Sequence, residues 1–204
     1  PEGPLETVGP APNRRGTTVS FLPDHEIFGP RLRFRPARLH RTARSKAYLF
    51  GGVEIRWRCA PELLADGEAT PPEDVFHFPG GLSDFLTETL AGAETFNAEP
   101  FAGSVAFAEK FGSETPGSVE WAVSWTPMRD PFLGSYCNTV PTPEGGTHEQ
   151  GLRAALTKGL RAYAELVGNR RAQQVTAEDA MAGACAMLSV FIREPEFVGQ
   201  TKDR

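Results

Sequence analysis

Val119, Trp121, Val123 and Trp125 alternate with Glu120, Ala122 and Ser124, the cleanest two-residue period in the sequence. Only an extended strand brings such residues to one face, so this stretch fixes a strand with a large aromatic surface to cover. Shorter alternations repeat the theme. Thr17, Val19 and Phe21 form one; Val53, Ile55 and Trp57 form another, interleaved with Glu54, Arg56 and Arg58 as a wet face. Val75–Phe78, Val105 with Phe107, Tyr136–Val140 and Met187–Arg193 supply the remaining short strands. Glycine (21) and proline (18) make up about a fifth of the 204 residues and keep the elements short.

Between the strands the period changes to that of helices. Residues 38–46 form a short helix carrying Leu39 and Ala43 inward, and Leu82, Phe85, Leu86 and Leu90 mark a second. Leu152, Leu156, Leu160, Tyr163 and Val167 mark the longest, with Thr147 and Gln150 in capping-box spacing and Gly168-Asn169 as its stop. Thr176 opens a further, alanine-rich helix. The order β-α-β-β-α-β-β-β-α-α-β predicts an α+β fold: a mixed, mostly antiparallel sheet with helices on one side.

Hydrophobic residues at 40% and charged residues at 23% exclude a wholly disordered chain. No apolar run approaches the ~18 residues of a membrane span. Cys59, Cys137 and Cys185 are an odd number without metal spacing, which predicts small buried thiols in a reducing compartment, the cytoplasm by default. A start at Pro1 and a stop after Gly199-Gln200-Thr201-Lys202-Asp203-Arg204 lead us to expect a piece of a longer protein.

Charge is unevenly spread around its net of −5. Nine basic residues lie between Arg31 and Arg58 against the single acid Glu54, and ten acids with no lysine or arginine lie between Cys59 and Glu109. Two readings stand: the acidic segment neutralises the basic one after folding, or the arginines face a polyanion through backbone contacts.

Familiar catalytic patterns are absent: no G-x-x-x-x-G-K-[ST], H-E-x-x-H, C-x-x-C or G-x-S-x-G occurs. His77 reads as an outward-facing strand residue. His148 beside Glu149 could form an acid-base pair, but a role in starting the helix fits better, and no third group is in sight to orient the two. Two other segments attract attention. Glu144-Gly145-Gly146-Thr147-His148 combines tight turns with a helix start that favours anions. In an extended tail, Gln200 and Lys202 point the same way and reach one phosphate, although a solvated terminus is the plainer reading.

Four strings in order carry a resemblance: residues 16–24 (GTTVSFLPD), 76–82 (FHFPGGL), 144–156 (EGGTHEQGLRAAL) and 196–204 (EFVGQTKDR). Together they resemble the B subunits of bacterial type IIA DNA topoisomerases over nearly the whole chain. Residues 136–141 and 192–197 look more like the topoisomerase IV form of that subunit than the gyrase form. The resemblance implies that residues 1–22 end a GHKL ATPase domain, and that 23–204 form a transducer domain of GHMP-kinase type with a left-handed β-α-β crossover. It implies ATP and Mg²⁺ as cofactors of the full-length protein. The implied partners are DNA, the topoisomerase IV A subunit, and a second copy of the B subunit, with no membrane. Lys202 matches the lysine that contacts the ATP γ-phosphate, Gln200 its companion, Thr17 a threonine of the adenine network, and Arg153 an arginine facing the DNA cavity. The alternatives are a gyrase B transducer, or a non-enzymatic nucleic-acid-binding module using residues 31–58 and Arg153.

The family's catalytic glutamate, Mg²⁺-binding asparagine and adenine-reading aspartate have no match in these residues, so the isolated chain is expected to neither bind ATP tightly nor hydrolyse it. A phosphate-release assay on the 204 residues should stay at the blank rate; turnover above blank overturns this.

Overall fold

Ala122 and Val123 are neighbours on one strand, both fully buried, and they belong to two different cores. That pair organises the molecule. The computed structural model describes residues 3–4, 6–7, 9–10, 12–13, 15–30, 32–64, 69–107 and 117–204. The chain divides into two units, Pro1–Arg35 and Pro36–Arg204.

In the first unit, Asp24 caps helix α1 (His25–Phe28) by accepting from the Glu26 N–H at 2.7 Å. The alternation at Thr17, Val19 and Phe21 does not become a paired strand: residues 15–24 carry no strand assignment, and Val19 and Phe21 are exposed. Period two gives an extended segment, but pairing also needs a neighbouring edge, which these residues do not meet within their unit.

The second unit contains helices α2 (Pro36–Leu49), α3 (Leu82–Thr89), α4 (Thr147–Leu166) and α5 (Ala177–Met181). Its strands are β1 (Glu54–Arg58), β2 (Glu73–His77), β3 (Phe101–Ala106), β4 (Gly117–Trp125), β5 (Phe132–Cys137), β6 (Val140–Pro141) and β7 (Ala184–Ile192). Strands β1 and β2 form an antiparallel pair, and the other five form a sheet in the order β3-β4-β7-β5-β6. Every pairing is antiparallel except β5 with β7, which are joined through α4 and α5 as a β-α-β crossover. The α+β, mostly antiparallel architecture is therefore present.

The helices, however, are not confined to one side. On one face Ala122, Cys185 and Met187 meet Ala47, Tyr48 and Leu49 of α2 and Leu82 and Leu86 of α3. On the other, Val123, Ala186 and Leu188 meet Leu152 and Leu156 of α4 and Met181 of α5. The sequence pattern concealed the first face because small residues fill it, and small residues let helices approach closely. Elsewhere the inward assignments also shift. Leu39 is exposed, and α2 buries its last turn instead. The strand expected over residues 136–140 is broken by a two-residue hairpin turn between β5 and β6, with Asn138 and Thr139 both at positive φ, as tight hairpins require. The loop expected over residues 112–117 lies largely outside the described residues.

Several polar groups taken into these cores are paired across elements, whereas Trp121 Nε1 and Ser189 Oγ are buried without a hydrogen-bond partner among the described residues. The Tyr48 and Tyr136 hydroxyls meet at 2.6 Å, and burial with that contact pushes the Tyr48 phenol above its ordinary range. Lys46 donates to the Thr139 carbonyl at 2.8 Å and hydroxyl at 2.7 Å, with burial lowering its ammonium pKa. Helix α3 has no side-chain cap of its own; Glu120 of β4 accepts from the Leu82 N–H at 3.3 Å, a carboxylate set at the positive end of the helix. Burial raises the Glu120 pKa, and that hydrogen bond opposes the shift. Asn138 closes the far end of the sheet by bonding both the N–H and the C=O of Ile192.

Leu86 is fully buried between the helices and the sheet. Leu86→Ala is expected to destabilise the second unit by about 2–5 kcal/mol, against under about 1 kcal/mol for exposed Leu39→Ala, as read by urea unfolding.

Candidate functional site

The start of α4 was expected to be closed by Thr147, but the structure places Gly146 at the cap and gives it no side-chain hydrogen bond. The polar side chains that follow reach sideways instead. His148 Nε2 lies 3.0 Å from the Thr142 hydroxyl, and Glu149 Oε1 lies 2.5 Å from the Ser135 hydroxyl. The two hydroxyls are 2.8 Å apart, and both residues are buried. The third group that sequence reasoning did not find for the His148–Glu149 pair is thus a pair of hydroxyls on β5 and just after β6. A signal for Ser135 existed: it shares parity with Leu133 and Cys137, so its hydroxyl had to face inward.

Gly145 and Gly146 leave room for this arrangement. A β-carbon at 145, where φ is +75°, would sit 3.0 Å from the Glu149 carboxylate, and one at 146 would sit 2.9 Å from the His148 ring. The carboxylate folded over this bend already supplies negative charge, so the anion preference read from the glycines is not what the geometry shows. Burial lowers the His148 pKa, and the nearby Glu149 charge partly opposes this.

The terminal segment is neither extended nor a loose end. The Val198 N–H donates to the Arg204 carbonyl at 2.7 Å, which closes a loop, and the Glu144 N–H donates to the Asp203 carbonyl at 2.9 Å. Residues 199–201 form a turn, Gly199 has φ +72° and Lys202 has φ +61°. Gln200 and Lys202 are exposed on this loop, and the Lys202 ammonium lies 5.4 Å from the Phe197 ring centroid, within cation–π range. The structure therefore fastens the loop that carries Gln200 and Lys202 to Glu144, in the segment that leads into α4. Arg153, half-buried, follows on α4, its carbonyl accepting from the Thr157 hydroxyl at 2.7 Å. Thr17 belongs to the first unit, where it is exposed.

Beside the loop, an apolar groove of about 1120 Å³ lies over the sheet face next to α4, with Trp121, Leu156, Val190, Phe197 and Arg204 among its walls. Among the described residues no group of three or more His, Cys, Asp or Glu could hold a metal ion, and no helix is long and apolar enough to cross a membrane. The basic stretch is partly neutralised by the acidic one: Arg44 pairs with Glu88 at 2.6 Å and Arg58 with Glu73 at 3.8 Å, while His40 Nε2 is hydrogen-bonded to Asp74 at 2.9 Å. Arg38 and Arg41 are exposed and meet no carboxylate among the described residues; Arg31 lies outside them.

The sequence profile of DNA gyrase B matches residues 81–204, which contain both the lysine loop and the whole of α4. The chain belongs to the DNA gyrase B family. It is 56% identical over its full length to the DNA topoisomerase 4 B subunit of Caulobacter vibrioides, covering 29% of that protein. The Salmonella typhimurium protein of the same name is 36% identical over 98% of the chain and 30% of its own length. The chain thus spans under a third of these relatives. Among solved structures, the gyrase B subunit of Myxococcus xanthus superposes with a TM-score of 0.67 at 25% identity, covering 95% of this chain and 52% of that one. The topoisomerase IV ATP-binding domain of Francisella tularensis, in complex with a small-molecule inhibitor, gives 0.61 at 26%, covering 87% and 44%. The resemblance carried by the four strings is to this family, and both named relatives are topoisomerase 4 B subunits.

A lowered His148 pKa has a testable sign. The unfolded chain takes up this proton first, so stability is complete above about pH 6.5, the ordinary histidine value, and falls as pH drops below it. Urea unfolding between pH 7.5 and 5.5 should show the loss, and His148→Gln should flatten that part of the profile.

Proposed function

We propose that this chain is the coupling part of a topoisomerase IV B subunit, relaying ATP binding and hydrolysis to DNA strand passage, relaxation and decatenation. The observation that carries the reading is an exposed lysine on a closed loop whose backbone is hydrogen-bonded to the segment that starts the longest helix. An ammonium is a compact, strongly charged donor, suited to meeting a terminal phosphate and stabilising the charge that develops as it leaves. Gln200, two residues away, offers a neutral amide donor to the same group.

Under this proposal residues 1–22 end a GHKL ATPase domain and 23–204 form the transducer. The exposed Val19 and Phe21 suit a segment that completes its packing against preceding chain. Thr17 belongs to the adenine network. The described residues fit the phosphate end of ATP and offer no Mg²⁺ ligand set, so Mg²⁺ would be held by upstream residues of the ATPase domain. Arg153, on the helix that follows the segment tied to the loop, faces the cavity through which DNA passes. The working assembly contains two B subunits with the topoisomerase IV A subunit, in the cytoplasm. The relatives' shared name and their greater length support this reading.

Lys202→Ala in the full-length protein, assembled with its A subunit, is expected to lower ATP turnover by on the order of a hundredfold or more and to abolish decatenation, with the circular dichroism spectrum unchanged. Normal turnover in that variant removes the proposal.

A further inference from the structure

The shortest contact among the four polar side chains at the start of α4 sets the direction of their hydrogen bonds. A carboxylate can only accept, so the Ser135 hydroxyl donates to Glu149 Oε1 at 2.5 Å in preference to the Thr142 carbonyl, its longer acceptor at 3.1 Å. The Ser135 oxygen must then accept from Thr142 at 2.8 Å, and Thr142, its own proton committed, must accept from His148 Nε2–H at 3.0 Å. The result is a one-way chain: His148 Nε2–H to Thr142, Thr142 to Ser135, Ser135 to Glu149. It requires a proton on His148 Nε2. The backbone follows the same path. The Thr142 N–H donates to the Ser135 carbonyl at 2.9 Å, the Gly145 N–H to the Thr142 carbonyl at 2.9 Å, and the Glu144 N–H to the Asp203 carbonyl at 2.9 Å.

Thr142 is therefore the hub. It is 2% exposed, its hydroxyl meets His148 directly and Glu149 through Ser135, and two residues later the chain grips the residue next to Lys202. We infer that Thr142 is a positioning residue for Lys202, and that the Glu144–Asp203 hydrogen bond is the tether through which the first turn of α4 sets the lysine loop. This rests on the reading that Lys202 meets the terminal phosphate of ATP, and adds what holds it there. Lys202 already sits at a positive φ that a lysine adopts at a cost, so the loop depends on its attachments to hold that shape. The coupling runs both ways: a phosphate that draws Lys202 toward itself pulls on Asp203, then on Glu144, then on the hydroxyl pair beneath α4.

The test uses the full-length protein with DNA and the A subunit. Thr142→Val keeps the shape and removes the hydroxyl; Thr142→Ser restores it. Glu144→Pro, at an exposed position, deletes the tethering N–H. Thr142→Val and Glu144→Pro are expected to raise the KM for ATP by about tenfold, with Thr142→Ser close to the native value. A purely structural role would lower the amount of active enzyme, and hence apparent kcat, with KM unmoved. If Thr142→Val does not fold, Glu144→Pro alone decides. An unchanged KM in Glu144→Pro, while Lys202→Ala is inactive, overturns this inference and leaves the proposed function standing. Native turnover in Lys202→Ala overturns both.

Discussion

The nine-residue pairing of β4 with β7 holds the second unit together. These two strands lie side by side between β3 and β5, and each turns alternate side chains to opposite cores. Burial on both faces means that neither strand can slip by one residue without exchanging all of its inward contacts. α3 depends on this register, because its start is capped by Glu120 of β4. α5 depends on it as well, because the Trp125 ring N–H donates to the Ala180 carbonyl at 2.8 Å. The parallel partner β5 then brings Ser135 beneath α4.

Against that rigid frame the polar cluster at the start of α4 is a point of specification more than of bulk stability. Each hydroxyl there gains only about 1 kcal/mol from its hydrogen bond but loses about 1–3 kcal/mol if left buried and unpaired. Such a cluster penalises departures from one arrangement. A loop that must present an ammonium in a defined position benefits from being fastened to it.

Much of this architecture was legible in the sequence, and the misses have physical causes. Trp121 and Trp125 announced β4 because large apolar side chains at period two have few alternatives. Ala122, Ser124 and Cys185 concealed the core against α2 and α3, since small side chains carry little hydrophobic signal even when fully buried. Thr176 and Asp179 formed the capping box that their spacing suggests. Thr147 and Gln150, at the same spacing, did not, because the α4 start is held by hydroxyls from a distant hairpin that no local pattern reveals. The lysine loop was visible as residues but not as a shape: its closure rests on the backbone bonds Val198–Arg204 and Glu144–Asp203, and the second joins positions 59 residues apart. The resemblance found the family from short strings; it could not supply Ser135 or Thr142, which lie outside all four of them.

The bend at Gly145-Gly146 has one more implication. Side chains returning from the following turn occupy the volume on its outer flank, within 3.0 Å of where an added methyl would go at either position. A side chain added at either position would have to displace the Glu149 carboxylate or the His148 ring, and with it the hydroxyl that each one meets.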